Sequence, residues 1–155
     1  MNVSEKKALF ADLSEKAKYI ISKTSEHEVY SEIVKLLKQN IPYYNWVGFY
    51  FLRDGVLQLG PYLGKPTQHQ KIKIGQGVCG SAVAQKRAII VDDVSKESNY
   101  LACSIETRSE IVVPLYNKSG EIIGEIDIDS DELSAFDECD REFLEDILRE
   151  ITEKS

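Results

Sequence analysis

Near the N-terminus, apolar residues recur at helical spacing. Leu9, Phe10, Leu13, Ala17, Ile20 and Ile21 fall on one stripe with charged residues between them, which predicts an amphipathic helix over residues 4–22. Ser25 and Glu28 have the spacing of a capping box and predict a second helix opening at Ser25. Its apolar face is Val29, Ile33, Leu36 and Leu37, and Pro42 stops it.

Beyond Pro42 the period shortens. Residues 46–52 (WVGFYFL) are aromatic and β-rich, a strand. Asp54-Gly55 signals a hairpin turn, and residues 56–63 return as the partner strand. A polar loop (64–70), a short strand (71–74), a glycine-rich turn (75–80), a short helix (81–85) and a strand (87–91) follow. Residues 92–109 form a long polar segment, and loops of that length in a compact domain usually carry function or disorder. Residues 110–116 and 121–129 are two strands joined by Asn117-Lys118-Ser119-Gly120. Asp137 caps a last helix whose core stripe is Phe143, Leu144, Ile147, Leu148 and Ile151.

This order predicts an α+β fold. A mostly antiparallel sheet of five or six strands carries the N-terminal and C-terminal helices on one face. The 155 residues form one domain: helices in 1–42, sheet and loops in 45–130, closing helix in 137–153. Hydrophobic residues make up 43% and charged residues 29%, so the chain folds without a metal or disulfide staple.

A net charge of −7 without clustered Lys and Arg argues against nucleic acid and suits a small cationic or ammonium-bearing ligand. No stretch is long and apolar enough for a membrane span, and MNVSEKKALF lacks a signal-peptide core, so a cytoplasmic location is expected.

The second hairpin concentrates the chemistry. In Ile126-Asp127-Ile128-Asp129 side chains alternate, so both isoleucines face the core and both aspartates the other side, roughly 7 Å apart. If Tyr116 lies opposite Glu121, Glu110 lies directly opposite Asp127, and three carboxylates share one patch. Pro114 could add a bulge and shift that register by one. The patch is either a solvated strand face or the floor of a pocket that binds an ammonium group or holds a proton. Crowded carboxylates cannot all ionise, so a pocket floor would supply a general acid.

Gly75-Gln76-Gly77-Val78-Cys79-Gly80 matches G-x-G-x-x-G, but no βαβ unit surrounds it, which excludes a dinucleotide site. Its glycines permit a tight turn, with N–H groups at the helix start suited to an anion. The chain has three cysteines, Cys79, Cys103 and Cys139. An odd count without a secretory signal argues against a disulfide scaffold. Cys103 lies in the long polar segment, an unusual place for core filling, whereas Cys139 reads as structural or surface. His27 and His69 have no metal-ligand spacing with the cysteines, so no metal is expected.

Several short motifs then occur in a fixed order: Asn45-Trp46-Val47-Gly48-Phe49-Tyr50, Leu59-Gly60-Pro61-Tyr62, Gly64-Lys65-Pro66, Gly77-Val78-Cys79-Gly80, Ala102-Cys103, Ser109-Glu110-Ile111-Val112-Val113-Pro114 and Asp127-Ile128-Asp129-Ser130. Together they resemble the free methionine-(R)-sulfoxide reductases, a branch of the GAF fold. The resemblance runs from about residue 45 to 130.

The resemblance implies a role for each matched residue. Cys103 would attack the sulfoxide sulfur, release methionine and become a sulfenic acid. Glu110, Asp127 and Asp129 would polarise or protonate the sulfoxide oxygen and hold the substrate ammonium. Trp46 and Tyr50 would wall the pocket, with Gly77 and Val78 contacting substrate. Cys79 would be the second thiol, able to pair with Cys103. No cofactor is implied beyond an external thioredoxin-type thiol, and a homodimer is expected.

The chain departs from the family pattern at three points. The family's further cysteine after Gly-Lys-Pro is replaced by Thr67-Gln68-His69-Gln70, so either Cys79 or an external thiol must reduce the sulfenic acid. Tyr100 and Ser104 stand where the family commonly has His and Asp. The competing readings are a silent ligand-binding GAF module and a Cys79/Cys103 redox sensor.

Overall fold

The computed structural model describes residues 1–101 and 105–155. Helix α1 spans Val3–Lys23 and opens on a capping box, Asn2 with Glu5. Helix α2 spans Val29–Asn40. It starts later than the capping-box spacing suggested. Ser25 and Glu28 do bond reciprocally, at 3.2 and 3.3 Å, but they close a separate turn ahead of the helix.

Strands β1 (Trp46–Arg53) and β2 (Val56–Leu63) form the first hairpin. Asp54 and Gly55 both take positive φ, 52° and 75°, the left-handed twist that a two-residue hairpin turn requires. Strand β3 (Lys71–Lys73) follows, then helix α3 (Gly77–Gln85) and strand β4 (Ile89–Val91). Helix α3 begins four residues earlier than the glycine content suggested, so Cys79 sits inside it rather than in a turn. The helix can start there because residue 80 lacks a side chain. A Cβ on Gly80 would lie 2.3 Å from the Lys73 carbonyl oxygen and 2.9 Å from the Gly75 nitrogen. Within the long polar segment, Val94–Lys96 forms a 3-10 turn capped by Asp93. Strands β5 (Ser109–Tyr116) and β6 (Ile122–Ser130) and helix α4 (Glu138–Lys154) complete the chain.

The six strands run in the order β3-β2-β1-β6-β5-β4, every pair antiparallel. Helices α1, α2 and α4 cover one face, as expected. Phe10, Leu13, Ile33, Leu37, Leu144 and Leu148 pack there against Val47, Phe49, Ile111, Val113, Ile126 and Ile128. Helix α3 covers the opposite face, where Val78, Cys79, Ala82 and Val83 meet Trp46, Tyr50, Ile72 and Val112. No helix among the described residues is long and apolar enough to cross a membrane.

One buried ionic knot fastens the helical layer. The Lys6 ammonium, 4% exposed, donates to Asp140 at 2.6 Å and to the Ala135 carbonyl at 2.9 Å. The other Asp140 oxygen accepts from the hydroxyls of Tyr43 (2.7 Å) and Tyr44 (2.9 Å). A buried charge pair persists only when its remaining hydrogen-bonding capacity is met, and here it is.

Candidate functional site

The register of the second hairpin decides what lies on the α3-covered face. Tyr116 pairs with Ile122, a bulge follows, and from Leu115 opposite Gly124 onward the strands run two residues out of the expected alignment. Glu110 therefore lies opposite Asp129, and Val112 opposite Asp127, rather than Glu110 opposite Asp127. A slip of two preserves the alternation, so the acids still share one face; a slip of one would have sent Asp127 into the helical core.

These acids do not face solvent. Glu110, Asp127 and Asp129 are at most 3% exposed, which excludes the solvated strand face. The same alternation carries a fourth acid, Glu125, fully buried. Sequence reasoning stopped at Ile126 and missed it, although the spacing Glu125, Asp127, Asp129 was there to read.

Strand β1 supplies the next layer. Trp46 lies opposite Asp129, Gly48 opposite Asp127 and Tyr50 opposite Glu125. Gly48 must lack a side chain, because a Cβ would lie 2.5 Å from the Trp46 ring and 2.8 Å from Tyr62. The indole thereby lies over residue 48, stacked on Tyr62 at 5.3 Å. Trp46 Nε1 donates to the Lys65 carbonyl at 3.0 Å and the Tyr50 hydroxyl to the His69 carbonyl at 2.7 Å, so both aromatics anchor the polar loop 64–70.

Helix α3 brings Cys79 onto the acids. Its Sγ and one oxygen each of Glu110 and Asp127 lie within 4.8 Å of one another, a donor set that could hold a metal ion. Burial pushes the Cys79 thiol well above its ordinary range, and the nearby Asp127, Glu125 and Glu110 charges push the same way. Cys79 is therefore a thiol at neutral pH. Burial also raises Asp127, partly opposed by its hydrogen bonds with Glu110 and Cys79. Glu125 is raised well above the carboxylate range, mainly by burial; contact with the Cys79 thiol opposes this and the Asp127 charge adds to it. Acids held protonated near neutral pH can donate a proton to a bound oxygen.

Gly77 and Val78 open α3. Leu101 packs over Gly77, and the Asn99 amide donates to the Gly75 carbonyl at 3.0 Å and to Ser81 Oγ at 3.3 Å. The chain just before Cys103 is thus tied to the helix that carries Cys79. Cys103 itself, with residues 102 and 104, lies outside the described residues. Tyr100 packs against the α3-side cluster. Cys139 is half-buried at the start of α4, away from the acids, and His27 borders a different hollow.

A small cavity of about 120 Å³ reaches Asp129, lined also by Asn45, Trp46, Lys65, Glu106, Thr107 and Asp131. Larger hollows of about 530 and 620 Å³ lie elsewhere, beside α4 and beside the α1–α2 connection. Neither is bordered by any of the four acids or by Cys79, whereas the small cavity meets the buried set at Asp129.

The same chain pattern recurs in known proteins. The family model for the GAF domain matches residues 23–153. GAF domain-containing protein A of Dictyostelium discoideum is 43% identical over 120 residues, 77% of this chain and 74% of that protein. Free methionine-R-sulfoxide reductase of Saccharomyces cerevisiae is 44% identical over 108 residues, 68% of this chain and 59% of that protein. The X-ray structure of free methionine-R-sulfoxide reductase from Neisseria meningitidis, in complex with its substrate, superposes with a TM-score of 0.91. It is 31% identical, covering 99% of this chain and 92% of that one.

Proposed function

The chain belongs to the GAF-domain family, in the branch of the free methionine-(R)-sulfoxide reductases, and from that premise we propose how its residues reduce free methionine-(R)-sulfoxide to methionine. The protein is an oxidoreductase of a small-molecule substrate. The Cys103 thiolate attacks the sulfoxide sulfur while a protonated carboxyl of the buried set, Asp127 with Glu110, gives its proton to the oxygen. An S–S bond to the substrate sulfur forms and the S–O bond breaks. The released hydroxyl then bonds to the Cys103 sulfur as that S–S bond breaks onto the methionine sulfur, so methionine leaves reduced by two electrons and Cys103 carries the oxygen as a sulfenic acid. Asp129, which lines the cavity, takes the substrate ammonium. Trp46 and Tyr50 enclose the sulfur and its methyl group, and Gly77 and Val78 line the side toward α3.

Recycling follows by condensation. The Cys79 thiol attacks the sulfenic acid, water departs, and a Cys79–Cys103 disulfide forms. A thioredoxin-type dithiol then returns two electrons and two protons. Cytoplasmic location and a homodimeric assembly belong to the same proposal, the assembly resting on the ordered motifs. The observation that carries the reading is the burial of the acids beneath Trp46, beside a thiol and a cavity.

A coupled assay with free methionine-(R)-sulfoxide and a dithiol reductant tests it. Wild type should turn over, Cys103→Ser should not, and Glu110→Gln should lose about a hundredfold or more in kcat, as removal of a general acid does. Full activity in Cys103→Ser would end the proposal. A ligand-induced rise in melting temperature without methionine production would favour a binding module instead.

A further inference from the structure

The acids and Cys79 form a donor set of mixed kind. Carboxylates alone would suit an ammonium group or a hard cation; a thiol among them adds a ligand with no use for either. Cys79 Sγ and the Glu110 and Asp127 oxygens are within 4.8 Å of one another, each from a different element: α3, β5 and β6. Zinc–sulfur and zinc–oxygen bonds of about 2.3 and 2.1 Å put ligand atoms roughly 3.3–3.7 Å apart in a tetrahedron. Closing the set on an ion needs a movement of about 1 Å, within reach of side-chain rotation.

A second observation points to a missing positive partner. Glu125 is fully buried, and neither of its oxygens has a conventional hydrogen bond among the described residues; the Cys79 thiol, a weak donor, faces it. A buried carboxyl without conventional hydrogen bonds is costly to keep, and a cation nearby that displaced its proton would relieve that cost.

We propose that Cys79, Glu110 and Asp127 form a site for one thiophilic divalent cation, zinc or cadmium, bound through one sulfur and two carboxylate oxygens, with the Glu125 carboxyl beside the Cys79 sulfur as their supporting partner. The ion occupies the proton-donating acids and the second thiol together, so it blocks both turnover and recycling. Binding exchanges protons for metal: the Cys79 thiol and each protonated carboxyl release a proton to solvent, and no electron moves. Affinity therefore rises with pH. Magnesium, which prefers all-oxygen octahedral ligation, is not held.

The test is a cadmium titration of the reduced full-length chain, read by the ultraviolet sulfur-to-cadmium charge-transfer band and by calorimetry. Neither readout depends on sulfoxide reduction, so the site can fail while the reductase reading stands, and the reverse. One ion per chain is expected, and zinc should displace cadmium. The double variant Cys103→Ser/Cys139→Ser, which leaves Cys79 as the sole thiol, should keep the band. Glu125→Gln should keep the band and weaken binding about ten- to a hundredfold. Absence of the band in wild type, its loss in the double variant, unchanged affinity in Glu125→Gln, or equal binding of magnesium would each overturn the proposal.

Discussion

Replacing Glu125 by leucine should change how stability depends on pH. The wild-type carboxyl is fully buried and its pKa stands well above the usual range, chiefly through burial. In the unfolded chain the same group titrates near ~4.3. Between those two values the folded state holds one proton more than the unfolded state. The contribution is complete below the unfolded pKa and shrinks as pH rises, by about 1.4 kcal/mol per pH unit, levelling off once the folded pKa is passed. For a chain of this size that slope is about 3–6 °C of melting temperature per pH unit. Leucine fills similar volume and does not titrate, so the variant should lose this component while Asp127 still contributes its own. Thermal unfolding of both proteins from pH 5 to pH 8 supplies the measurement. The variant should be the more stable by a margin that widens with pH. Parallel curves, with the same gap at both ends, would show that the Glu125 carboxyl is not held protonated by the fold.

Two further outcomes are expected. Asp140→Ala takes from the buried Lys6 ammonium its 2.6 Å partner, leaving it Asp137 at 3.3 Å, strips two tyrosine hydroxyls of their acceptor, and should cost about 3–5 kcal/mol. Urea denaturation reads this directly; a cost below about 1 kcal/mol would mean the knot is not holding the layers. Lys6→Met/Asp140→Leu should recover only the ionic part of it, because an apolar pair replaces the buried charges while the Tyr43 and Tyr44 hydroxyls and the Asp137 N–H still lack their acceptor. Gly80→Ala should destabilise by about 1–3 kcal/mol, despite alanine's better helix propensity, since its methyl meets the Lys73 carbonyl rather than a movable side chain. A neutral or stabilising result in thermal unfolding would contradict that packing.

Periodicity carried much of the architecture because each face of each element has one environment. The β1–β2 hairpin and the α4 stripe follow directly from alternation and helical spacing. The errors lie where a long-range contact outweighs local preference. Glycines usually mark a turn, yet Gly80 serves close packing of a helix against β3, which residue type alone does not distinguish. Loop length suggested the β5–β6 register; pairing that begins at Ile122 moved it by one and the bulge before Gly124 by one more. The acids still gathered because only the parity of the register matters. Lys6 is one of the charged positions between the apolar ones of the first helix, and nothing local shows that Asp140, far along the chain, closes over it. Burial of Glu125 depends on α3 covering that face, a tertiary fact invisible in a strand pattern.

The sheet's two rims have a consequence for behaviour in concentrated solution. Both outermost strands, β3 and β4, are three residues long, and β3 begins and ends on exposed lysines. So short a row of open amide and carbonyl groups offers little template to a neighbouring chain, and the lysine charges repel an incoming strand. The long, apolar central strands are shielded from intermolecular stacking by these brief margins. The native protein is thereby guarded against fibril growth from its edges.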